Sequence, residues 1–156
     1  FDLGNPIMFV HGWPLNHNMY EYIIEYFASR GHRCIAIDLR GYGNSDKPYT
    51  GYDYDRMAMD IKLVIDALKL SDITLVGHSM GGAICLRYMS KFNEDKVSRL
   101  CLLSAVAPKW VQSSNWLYGY TVDEVNKLID SFKSDKPKAI IDTSESFFIN
   151  LLVKVY

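Results

Sequence analysis

At Gly77-His78-Ser79-Met80-Gly81 a serine stands between two glycines. The apolar run 73–76 precedes it, and a helix-forming run begins at Ala83. Gly-x-Ser-x-Gly in that setting demands a strand, a strained turn and a helix, with the serine exposed at the turn. The glycines allow the close backbone packing that such a turn needs, and Gly82 lets the helix approach the sheet. A serine hydroxyl is a poor nucleophile unless it is exposed, held rigidly and deprotonated by a base. The motif meets the first two needs and makes Ser79 the candidate nucleophile.

The flanking sequence repeats the same alternation. Strands are expected at 7–10, 33–38, 73–76 and 97–104. Helices are expected at 18–29, at 55–70 and from Gly81 through Lys91. Met19, Ile23, Tyr26 and Phe27 mark the apolar face of the first, and Met57, Ile61, Val64 and Leu68 that of the second; both follow the helical period. The expected fold class is α/β, a mostly parallel sheet with flanking helices. After residue 108 the pattern changes. Trp110, Trp116, Tyr118 and Tyr120 lie in an aromatic loop, open to two readings, an acyl pocket or plain packing. Thr121-Val122-Asp123-Glu124 forms a capping box, and Val122, Val125, Ile129 and Phe132 continue that helix. A break is expected at 134–138, with Pro137 in the first turn of a helix carrying Ile140, Ile141, Phe147 and Phe148. Residues 1–108 thus read as the α/β core and 109–156 as a helical cap segment.

Two further motifs precede the serine. His11-Gly12-Trp13-Pro14 follows the first strand. Acyl transfer develops an oxyanion that needs two donors. Met80 N–H, just after the nucleophile, is one candidate and Trp13 N–H the other. Pro14 has no N–H, locks its own φ, and is expected to shape the loop so that a neighbouring carbonyl can hold hydrogen peroxide. His11 and His78 are expected to shape the two loops rather than act as base, since the base must reach Ser79 from across the site. The second motif, Asp38-x-Arg40-Gly41-x-Gly43-x-Ser45, lacks a phosphate-loop lysine. It reads as a structural loop ordered by an Asp38–Arg40 pair.

Composition limits the partners. With 17 basic against 18 acidic side chains and no basic stripe, neither nucleic acid nor an anionic membrane is expected. No apolar run is long enough to span a bilayer. Cys34, Cys85 and Cys101 form no Cys-x-x-Cys or Cys/His cluster, so no metal is expected. They read as buried free thiols of a reducing compartment, which points to the cytoplasm.

His-Gly-Trp-Pro, Asp-Leu-Arg-Gly-Tyr-Gly-Asn-Ser and Gly-His-Ser-Met-Gly-Gly, in that order, resemble the α/β-hydrolase superfamily. The likeness is greatest to its cofactor-free haloperoxidase, arylesterase and perhydrolase branch, and covers residues 6–108 well. The resemblance implies a small carboxylic ester as substrate, an acyl-serine at Ser79, an oxyanion hole at Trp13 and Met80, and peracid formation as a side activity. It implies no cofactor. One departure stands out. The family's triad runs Ser, Asp or Glu, then His, yet no histidine follows Ser79 and no carboxylate stands near Ser104. The expectation is a segment of a longer chain, lacking early strands and the triad Asp and His, and a poor catalyst alone. Its open strand edges leave self-association into a homo-oligomer as a further expectation. The rival enzymes with a His-Gly-x-Pro loop, haloalkane dehalogenases and epoxide hydrolases, need Asp at the elbow. A non-catalytic binding protein of the same fold is the rival from another class.

Overall fold

The structure, a computed structural model, describes residues 4–106 and 109–152, the side chains only as far as residue 144. It divides into two compact units, Phe1–Pro108 and Lys109–Tyr156.

Among the described residues the first unit holds four strands: β1 (Gly4–Val10), β2 (His32–Ile37), β3 (Ile73–His78) and β4 (Val97–Leu103). They pair in the order β2-β1-β3-β4, every pair parallel. Parallel neighbours need long crossovers, and these are α1 (Glu21–Ala28), α2 (Tyr54–Ala67) and α3 (Met80–Phe92). The α/β class expected from the alternation is therefore present. Both faces of β1 and β3 are covered. Met8, Val10, Ile73 and Leu75 pack with Met57, Ile61 and Ile65 of α2 and with Ile84, Cys85 and Tyr88 of α3. Ile7, Phe9 and Val76 pack on the other face with Tyr20 and, partly buried, Ile24 and Phe27. Alternate residues of each strand thus feed opposite clusters, as the period of two requires.

Several expectations need correction. The first helix opens as a 3-10 turn, His17–Tyr20, before α1 begins. Met19 and Phe27 of the expected face do pack on the sheet, together with Tyr20 and Ile24, while Ile23 and Tyr26 are exposed. On α2 the face carries Met57, Ala58, Ile61 and Ile65, and Leu68 is exposed. Of the three thiols Cys85 alone is fully buried; Cys34 on β2 is half-buried and Cys101 on β4 is exposed.

The second unit holds α4 (Val122–Ser134) and α5 (Lys136–Leu152). Thr121 Oγ1 accepts from Glu124 N–H, and the Glu124 carboxylate accepts from Thr121 N–H at 2.7 Å, which completes the capping box. The expected break at 134–138 shrinks to Asp135, whose carboxylate accepts from Lys138 N–H and so starts α5 at once. Phe147 and Phe148 lie outside the described side chains. In the loop before α4, Trp110 stacks edge-on with Tyr120 and Trp116 with Tyr118.

Candidate active site

Strand order places the site. From β1 the chain moves to one side for β2 and to the other for β3. In an open α/β sheet the crevice forms at the carboxyl ends of the strands where that order reverses. Here the reversal lies between β1 and β3, whose ends are level: Val10 pairs with Gly77. The two segments that leave this point are His11-Gly12-Trp13-Pro14 and the turn at Ser79.

Ser79 has φ 52° and ψ −121° and caps α3. A non-glycine residue in that region costs on the order of 1–3 kcal/mol and persists only where its surroundings fix it. Here three backbone bonds fix it. Ser79 N–H donates to Leu103 O at 3.0 Å, and Ser79 O accepts from Gly82 and Val106 N–H, each at 3.0 Å. The Ser79 hydroxyl makes no capping bond to α3. Serines at this position commonly spend their oxygen on the helix; this one does not. Met80 opens α3, so its N–H belongs to the first turn, whose donors have no partner inside the helix. The positive end of the helix dipole stands there too.

The glycines are required by what surrounds them. A methyl group on Gly81 would overlap the carbonyl oxygens of Val10 and His11, so α3 begins directly against the end of β1. On Gly77 it would fall 2.6 Å from Gly82 Cα, and on Gly82 it would overlap Ala105. On Gly12 it would lie 2.8 Å from Ser79 Cβ and 3.0 Å from His78 Nδ1. The first motif loop therefore touches the elbow, and His11, Gly12, Gly77, His78, Ser79, Met80 and Gly81 gather at one place. Trp13 is two-fifths exposed, and the bond between it and Pro14 is cis.

The histidines divide by their bonds. His11 is fully buried, with Nδ1 2.9 Å from Gly12 O and Nε2 accepting from Leu39 N–H at 3.0 Å. Burial pushes its pKa below the usual imidazole value, against a smaller upward pull from the Gly12 carbonyl. Burial also lowers that of His78, whose Nδ1 is buried without a partner among the described residues. His17 Nδ1 is 2.8 Å from Asp38 Oδ1. Among the described residues no histidine bonds the Ser79 hydroxyl, and no group of three metal-ligating side chains comes together.

The Asp38–Arg40 pair expected from sequence does not form. Arg40 instead grips Asp60 of α2 through Nε and Nη2, the latter at 2.7 Å. Asp38 accepts from His17 N–H, from the His17 ring and from Asn44 N–H, each at 2.8 Å. Desolvation pushes its carboxyl up, yet the bonds from Asn44 and His17 outweigh this and hold it below the usual carboxylate range. Asp38 thus ties the loop after β1 to the loop after β2, a knot the sequence reading missed. Its trace in the sequence is Gly43, where a methyl group would overlap the Asp38 carboxylate.

A family model described as the alpha/beta hydrolase fold matches residues 5–153. The chain is 48% identical over 145 residues to the AB hydrolase superfamily protein YisY of Bacillus subtilis, covering 93% of this chain and 54% of that one. It is 34% identical to the non-heme chloroperoxidase CPO-A1 of Kitasatospora aureofaciens, over 93% of this chain and 53% of the relative. An esterase from Exiguobacterium antarcticum superposes with a TM-score of 0.87 at 47% identity, over 91% of this chain and 53% of the esterase. The chain spans about half the length of the relatives it matches.

Proposed function

The chain belongs to the α/β-hydrolase fold family, in its haloperoxidase and esterase branch, and on that premise we propose that the protein is a serine hydrolase cleaving small carboxylic esters through an acyl-serine on Ser79. The observation that carries this is the Ser79 turn: a strained, over-determined backbone whose hydroxyl is withheld from its own helix.

In this reading Ser79 Oγ attacks the ester carbonyl and forms a new C–O bond. The carbonyl oxygen becomes an oxyanion, which Met80 N–H and Trp13 N–H stabilise. Collapse expels the alcohol and leaves the acyl-serine, and water then releases the acid and restores the hydroxyl. Hydrogen peroxide attacking in place of water gives the peracid, again with Ser79 protonated, which is the proposed side activity. Ser79 needs a base to take its proton, and among the described residues no histidine is bonded to its hydroxyl. A dehalogenase or epoxide hydrolase reading is disfavoured because Ser, not Asp, occupies position 79.

A fluorophosphonate probe tests the proposal on the full-length protein. The probe should label Ser79, and Ser79→Ala should abolish both labelling and ester turnover, a loss on the order of a millionfold. Turnover that survives Ser79→Ala would refute the assignment.

A further inference from the structure

His11 is buried where the loops after β1 and β2 meet, and both its nitrogens are committed. Leu39 N–H donates to Nε2, so that nitrogen carries no proton and the neutral ring bears its hydrogen on Nδ1. Nδ1 then donates to Gly12 O at 2.9 Å. Leu15 N–H donates to the same oxygen at 3.0 Å. Two donors therefore hold the Gly12 carbonyl. The Gly12–Trp13 peptide is planar and trans, and in such a unit the N–H points opposite to the C=O. Whatever aims the Gly12 carbonyl also aims Trp13 N–H. Gly12 itself lies against Ser79, closely enough that a methyl on it would sit 2.8 Å from Ser79 Cβ.

We propose that His11 is a positioning residue, which holds the Gly12 carbonyl away from the site and so turns Trp13 N–H toward the oxyanion that forms over Ser79. It does not serve as base, because neither nitrogen has a lone pair to spare for the Ser79 proton. The proposal rests on the acyl-serine reading and adds to it the group that sets one half of the oxyanion hole.

Two substitutions in the full-length protein separate its two bonds. His11→Leu removes both. His11→Asn keeps an N–H donor at the position of Nδ1 and loses only the acceptor for Leu39. Leu39 N–H is left unpaired in both, so a difference between them reports the Gly12 bond. With p-nitrophenyl acetate, His11→Leu should lower kcat by roughly 10- to 100-fold, somewhat less than outright loss of an oxyanion donor, with KM changed less than about threefold. Affinity for a trifluoromethyl ketone, whose serine adduct carries an oxyanion, should fall in step with kcat/KM. His11→Asn should recover most of the loss in both. Equal losses in the two variants, or an unchanged kcat in His11→Leu, would overturn the proposal. If the leucine variant does not fold, a fall of more than about 30-fold in His11→Asn overturns it, because that variant retains the donor. Ser79→Ala in the same assay tests the underlying reading. If turnover survives it, that reading fails, and a crystal structure of His11→Asn or His11→Leu decides the proposal by itself. The Gly12–Trp13 peptide should turn in the leucine variant and stay in the asparagine variant.

Discussion

Single atoms decide whether Ser79 can be presented at all. Gly81 and Gly31 show two different reasons for having no side chain. Gly31 has open space where a Cβ would go, but its φ is +85°. Alanine there pays only for the backbone, about 1 kcal/mol. At Gly81 the obstacle is steric, since the overlapping atoms are main-chain carbonyls of Val10 and His11 in the buried end of β1. No rotamer change relieves that overlap, so the start of α3 must move. Gly81→Ala should therefore cost at least about 2–3 kcal/mol, the upper range for overpacking, and should displace Met80 N–H with it. Urea denaturation of the two variants checks the ranking. A Gly81→Ala midpoint at or above that of Gly31→Ala would contradict the crowding seen between α3 and β1.

Elements show where sequence patterns were enough and where they were not. The strand, turn and helix around Ser79 were legible because Gly-x-Ser-x-Gly between an apolar run and a helix has few other solutions, and Gly77, Gly81 and Gly82 leave no room for a side chain. The capping box at Thr121 was legible because both its bonds are local. The face of α1 was legible only in part: Met19 and Phe27 pack on the sheet as expected, but Ile24 rather than its neighbour Ile23 joins them and Tyr26 is exposed. The ties of Asp38 and Arg40 were not legible, since their partners, His17 and Asp60, stand 21 and 20 residues away. The phase of α1 is open to test. Ile24 packs in the Phe9 and Tyr20 cluster while its neighbour Ile23 is 39% exposed. Ile24→Ala should cost about 2 kcal/mol, at the lower end for a buried isoleucine because Ile24 is only partly buried, and Ile23→Ala less than about 1. Thermal midpoints of the two variants measure it, and the reverse order would restore the face expected from sequence.

At the scale of the whole molecule, two histidines, one buried and one half-buried, make the site itself acid-sensitive. His11 and His78 flank Gly12, and burial holds both below the ordinary imidazole value of 6.5. A histidine whose folded pKa is depressed takes up its proton first in the unfolded chain. Stability from it is whole above about pH 6.5 and is lost as pH falls toward the folded value. The groups facing His11 do not reverse this. Asp38 favours its protonation, His17 opposes it, and Tyr42 meets it edge-on, while burial remains the largest effect. Asp38 adds a second, lower step. Its carboxyl is held below the ordinary 3.8 by the bonds from Asn44 and His17, so its contribution is present above that value and lost below it. Once protonated, it no longer joins the loops after β1 and β2 as a carboxylate. Urea midpoints should therefore decline as pH falls below about 6.5, and decline further below about 3.8. The double substitution His11→Asn and His78→Asn should remove most of the first decline and leave the second. A first decline as steep in the double variant as in the wild type would place the acid-sensitive groups elsewhere. The His11 step should also reach catalysis: a proton on Nε2 expels Leu39 N–H, and the ring that aims the Gly12–Trp13 peptide loses its second anchor.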